Sequence, residues 1–151
     1  MKKILLLLCT LAVFPLHAQV GTITYLQQLA QKPTAQCSDA VRLFVLQIGK
    51  PYTNFSQGID LLKKEEILPD KDYAEDDSLR RGLFALMVSR YLSRSDSFMY
   101  SIFGTERYAY TSCVSLKLME SGRSEWDYLS GSELIEIMSK VSARVEARNE
   151  D

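Results

Sequence analysis

The chain is predicted to fold as an all-α domain of about five to six helices, and three observations predict it. Apolar residues recur at three- and four-residue steps through most of the sequence, Asn, Ser and Thr stand where helices would begin, and no Asn-Gly or Asp-Gly turn joins two alternating runs. With 151 residues, one core suffices.

Residues 1–18 read as a cleavable signal peptide. Met1-Lys2-Lys3 is a positive start, Ile4 to Phe14 is apolar apart from Cys9 and Thr10, Pro15 breaks the run, and Ala18 supplies a small residue before Gln19. The run is about half of the roughly 20 apolar residues that a bilayer requires, so no transmembrane span is expected after cleavage. Retention as an anchor is the alternative. Cys9 does not read as a lipidation site, because Leu8 is bulky and the cysteine lies early in the run. The expected product is a periplasmic or otherwise exported domain of residues 19–151.

Within it, Ile23, Leu26 and Leu29 predict a short helix from Thr22 to Gln31, ending before Lys32-Pro33. Ser38 and Asp39 can cap a second, with Val41, Phe44, Val45 and Ile48 on one face before Gly49-Lys50-Pro51. Asn54 can cap a third carrying Phe55, Ile59 and Leu62 and ending near Leu68-Pro69; Asp70 to Asp77 is then a polar loop. Leu79 to Leu92 carries a broad apolar stripe that implies deep burial. Ser97 to Phe103 is a brief aromatic stretch. Thr105 can cap a helix that reaches Ser121 and stops at Gly122. Ser130 and Glu133 form a capping box before Leu134, Ile137, Met138, Val141 and Val145.

Composition excludes several functions. His17 is the single histidine and leaves with the signal, which removes Ser-His-Asp and Cys-His catalysis and the commonest transition-metal ligand. Loss of Lys2 and Lys3 takes two of the 18 basic residues and leaves the 19 acidic ones in excess, so nucleic acid is not an expected partner. No metal or cofactor is expected: the acidic loop of Asp70, Asp72, Glu75, Asp76 and Asp77 lacks the glycine and terminal glutamate of an EF-hand and reads as solvated. Cys37 and Cys113 are a candidate disulfide in an oxidising compartment; two buried thiols are the alternative.

Two stretches of the sequence superimpose. Leu79-Arg80-Arg81-Gly82-Leu83-Phe84-Ala85 and Leu129-Ser130-Gly131-Ser132-Glu133-Leu134-Ile135 each open an apolar helix, which divides the domain into units of about 38–93 and 97–148. This arrangement resembles the S-layer homology repeat, a unit of roughly 55 residues whose second helix opens on a Leu-Thr-Arg-Ala-Glu-Phe-Ala-like string. Each copy keeps a different half. The first has Arg81 but Leu83 at the glutamate position; the second has Glu133 but Gly131 at the arginine position. The resemblance implies a scaffold that binds cell-wall polysaccharide in grooves between units, usually three of them.

It also implies that Arg81 contacts polymer; an arginine pointing to water is the alternative, and the same two readings hold for Arg80. Phe98, Tyr100, Phe103, Tyr108 and Tyr110 suit either sugar stacking or helix seams. Trp126, in the polar loop Ser124-Glu125-Trp126-Asp127, is the best single marker of a binding surface. Asp127 with Glu133 is a carboxylate pair of the kind used in glycoside hydrolysis, but nothing in the spacing selects it from the other acids. The expected function is therefore a non-enzymatic, exported binding or scaffold module that contacts an envelope polymer or protein. The alternatives are a small subunit of a periplasmic assembly and a carboxylate-dependent wall-glycan hydrolase.

Overall fold

The computed structural model describes residues 14–93 and 104–150, excluding the side chains of residues 14–20 and of Asn149. The start of the expected signal and Phe98, Tyr100 and Phe103 of the aromatic stretch lie outside the described residues. Those described form six helices: α1 (Phe14–Ala30), α2 (Cys37–Gln47), α3 (Phe55–Lys64), α4 (Arg81–Ser93), α5 (Glu106–Ser115) and α6 (Gly131–Asn149). The chain is all-α, its described extended pairing limited to two isolated bridges. No helix among the described residues is long and apolar enough to cross a membrane.

Local chemistry sets the helix ends. Asn54 and Thr105 cap α3 and α5 by accepting from the backbone N–H of Gln57 and Tyr108. Ser130 and Glu133 form the expected box at α6. At α2 the cap is Gln36 rather than Ser38 or Asp39, and Asp39 closes the box from the third helical position. Helix α1 is longer than its apolar spacing suggests: it starts at Phe14 and crosses the expected cut.

Helices α3 and α5 stop short of their expected ends. Glu66 (φ 58°) and Lys117 (φ 59°) take the left-handed conformation just beyond the last turn. The N–H of Ile67 bonds to the carbonyl of Leu62, and that of Leu118 to Cys113, both at 2.9 Å. These are Schellman closures, and each turns an apolar pair inward: Ile67 and Leu68 in one case, Leu118 and Met119 in the other.

The backbone reveals three helix–loop–helix units, α1–α2, α3–α4 and α5–α6. Ala35 N–H donates to the Leu129 carbonyl, Leu129 N–H to Leu79, and Leu79 N–H to Ala35, at 2.7, 3.0 and 2.8 Å. The three residues thereby close a ring of hydrogen bonds. A second set runs around the same ring: Cys37 donates to the carbonyl of Asp77, Arg81 to Asp127, and Gly131 to Lys32. Packing follows this order, since α2 packs on α3, α4 on α5, and α6 on α1. The repeat read from the sequence thus has a third member, Ala35-Gln36-Cys37-Ser38-Asp39-Ala40-Val41, opening α2. One buried cluster, with members from all six helices, fills the centre; Phe44 and Phe84 meet there at 5.6 Å between ring centroids.

The third junction is not identical to the others. One residue, Ser78 or Tyr128, separates the bonded positions in two of them; Pro33 and Thr34 separate Lys32 from Ala35 in the third. Antiparallel bridges form at Gln36–Ser78 and Arg80–Tyr128. The extra residue throws the remaining junction out of bridge geometry.

Candidate functional site

The ring brings the first helical residue of one unit to the third helical residue of the next. At the α4–α6 junction these are Arg81 and Glu133, and they form an ion pair. The arginine of one sequence copy and the glutamate of the other therefore meet across the junction. Arg81 is only 2% exposed, and its Nε has no hydrogen-bond partner among the described residues. It points neither to water nor into an open groove. Burial alone would raise the Glu133 carboxyl; bonds from the Ser130 backbone, the Arg81 guanidinium and the Ser130 hydroxyl outweigh it and hold the carboxyl below its ordinary range.

Each remaining junction has its own chemistry. Cys37 and Leu83 border the same small apolar crevice. At the α6–α2 junction the corresponding positions are Gly131 and Asp39, and a side chain at residue 131 is impossible: a Cβ there would lie 1.7 Å from the Leu29 carbonyl oxygen. Lys32 supplies the cation instead, with its Nζ 2.8 and 2.9 Å from the two Asp39 carboxylate oxygens.

Beside these junctions lie two polar hollows. One, of about 440 Å³, is lined by Lys71, Tyr73, Asp77, Arg80 and Tyr128 among others. Tyr128 is 58% exposed, and the Arg80 guanidinium sits 5.1 Å from the ring centroid of Trp126, itself 63% exposed. Lys71 lies over Tyr73 at 5.2 Å. The other hollow, of about 400 Å³, is bordered by α1, the start of α2 and the α2–α3 connection, with Tyr25, Lys32, Asp39, Arg42 and Tyr52 in its wall. Burial, with the Asp39 charge second, pushes the Tyr25 phenol well above its ordinary range; burial also raises Tyr52.

The expected binding residues do not converge. Arg81 is interior, Trp126 reaches the first hollow through Arg80, and Tyr108 is exposed on α5 but does not line that hollow. Tyr110 is buried, its hydroxyl donating to the carbonyls of Glu120 and Arg123 at 3.0 Å each. Cys37 and Cys113 are free and buried rather than bonded. Cys113 lies by Ser89 and the Ala85 carbonyl, whereas Cys37 opens α2 beside Asp77. Burial pushes both thiols up to about 11. Asp127 and Glu133 both hold backbone: Asp127 accepts from Ser124 N–H at 2.9 Å, Glu133 from Ser130 N–H at 2.9 Å.

Sequence reasoning weighed Arg80 only alongside Arg81 and missed Tyr25 and Arg42. Arg80 was legible as the neighbour of Arg81 in a capping position. Tyr25 and Arg42 belong to the third unit, whose Ala-Gln-Cys-Ser-Asp string keeps the motif's spacing and almost none of its residues. Comparison with known proteins gives no match to a family model, to a curated protein or to a solved structure.

Proposed function

We propose that the protein is an exported, non-enzymatic binding module, built from three S-layer-homology-like units, that takes an envelope polymer in the hollow beside Arg80, Trp126 and Tyr128. The observation that carries this reading is the pairing of two exposed aromatic rings with a hollow at a unit junction. Aromatic faces stack on sugar rings while Arg80 and Lys71 donate hydrogen bonds. The closed ring supports it further, because it holds Arg80 and Tyr128 in an antiparallel bridge and so fixes the hollow's walls.

Co-sedimentation with purified, insoluble envelope polymer tests the reading. The protein should pellet with polymer, and Trp126→Ala and Arg80→Ala should each stay largely in the supernatant. A folded protein that never pellets overturns it.

A second reading, a subunit of an envelope assembly, is favoured by one observation. An apolar hollow bordered by Leu26, Leu43, Leu46, Ile135 and Met138 lies where α1, α2 and α6 meet, and Leu46 is 46% exposed. Under this reading Leu46→Glu abolishes co-purification of a protein partner while polymer binding is absent from the start.

A further inference from the structure

The hollow bordered by α1 and α2 differs in chemistry from the one beside Trp126, and one residue dominates it. The Arg42 guanidinium lies 3.7 Å from the centroid of the Tyr25 ring. No carboxylate pairs with it among the described residues, although Asp39 is close by in the same wall. Asp39 is already committed: it receives Lys32 Nζ on both oxygens, the Gln36 backbone N–H at 2.9 Å and, at 3.4 Å, the Tyr25 hydroxyl. Arg42 therefore sits over the Tyr25 ring with none of its N–H donors bonded to a side chain or backbone group among the described residues.

From this arrangement we propose that the hollow is a receptor for a monocarboxylate on a short, partly apolar body, the chemistry of a peptide C-terminus. A planar guanidinium matches a carboxylate through two parallel hydrogen bonds. Its stacking on Tyr25 meets the ordering cost before the ligand arrives. Tyr52 adds a hydroxyl donor at the same wall. Phe55, only partly buried, supplies apolar surface beside these donors. The volume, about 400 Å³, suits a small ligand.

The charges favour one negative charge over two. Lys32 and Arg42 bring two positive charges to the wall, and Asp39 and Glu75 bring two negative ones. A carboxylate meeting Arg42 while Glu75 remains in water is well matched. A phosphate dianion is not.

The test is an NMR titration of the full chain with N-acetylalanine, N-acetylalaninamide and inorganic phosphate. N-Acetylalanine should shift the Arg42 and Tyr25 signals saturably, in the millimolar range expected for a ligand so small. The amide, which lacks only the charge, should shift neither. Arg42→Met, which keeps the stem on Tyr25, should weaken binding at least about tenfold, and Arg42→Lys should weaken it less. If Arg42→Met does not fold, the Arg42→Lys comparison carries the test. Equal shifts with acid and amide, unchanged affinity in both variants, tighter binding of phosphate, or no saturable shift with the acid would each overturn the proposal. The site shares no lining residue with the hollow beside Trp126, so failure of polymer co-sedimentation leaves this titration free to succeed.

Discussion

At the scale of single residues, the Arg81–Glu133 pair shows how burial decides what a charge contributes. The two side chains are unequally dry: Arg81 is 3% exposed and Glu133 30%. Removing the carboxylate strands a guanidinium in the interior, whereas removing the guanidinium leaves a carboxylate that water can reach. Glu133→Gln, which keeps the length needed for the capping box, is therefore expected to cost about 3 kcal/mol, and Arg81→Met only about 1–2 kcal/mol. Urea denaturation of the two variants measures both; equal costs would show that the asymmetry in burial has no energetic weight. The same pair sets a pH dependence. Because the folded Glu133 carboxyl lies below its unfolded value, its contribution is complete above the unfolded pKa. It is lost as pH falls through the folded one. Wild-type stability should decline on acidification below the ordinary glutamate range, and Glu133→Gln should flatten that decline.

At the scale of elements, the helix ends are where physical rules compete. Glu66 and Lys117 sit in the left-handed region that ordinarily favours glycine. They accept it because Ile67, Leu68, Leu118 and Met119 are buried by the turn that follows. Lys117 is exposed, so its side chain contributes little to offset the strain. Lys117→Gly should thus stabilise the fold by about 0.5–1 kcal/mol, and Lys117→Val should destabilise it by more than that. Thermal melts in matched buffer distinguish these signs. The starts of α3, α5 and α6 were legible in the sequence because Asn54, Thr105 and Ser130 announce themselves chemically. The ends of α3 and α5 were not, because apolar periodicity continues unbroken through Ile67 and Met119 while the backbone has already turned. Helix α2 hid its start for a different reason: Gln36 is an uncommon cap, and Ser38 beside it looks like a better one.

At the scale of the whole molecule, a ring of three units has one seam where its first and last units meet, and here that seam joins α1 to α6. Two units were visible from the sequence because the strings around Arg81 and Glu133 can be laid over one another. The third was invisible because its junction residues, Cys37 and Asp39, carry neither the arginine nor the glutamate of those strings: Cys37 shares an apolar crevice with Leu83, and Asp39 pairs with Lys32. Trp126 could be picked out as a surface residue from its polar loop, whereas the stacking of Arg42 on Tyr25 depends on how α1 and α2 come together in space. The seam makes a sharp prediction. Gly131 donates its N–H to Lys32, and a Cβ at that position would overlap the Leu29 carbonyl, which is backbone and cannot swing aside. Gly131→Ala improves intrinsic helix propensity in α6, so a local view predicts a gain of up to about 1 kcal/mol. The closed ring predicts the reverse, a loss of about 3 kcal/mol or more as α1 is pushed from α6. Hydrogen exchange locates the damage: protection should fall first at the amides of Ala35 and Gly131, which bond across this seam, and last at Leu79 and Arg81, which bond across the other two. A stabilised Gly131→Ala variant, or a loss of protection shared evenly by all three junctions, would mean that the ring does not depend on this seam to stay closed.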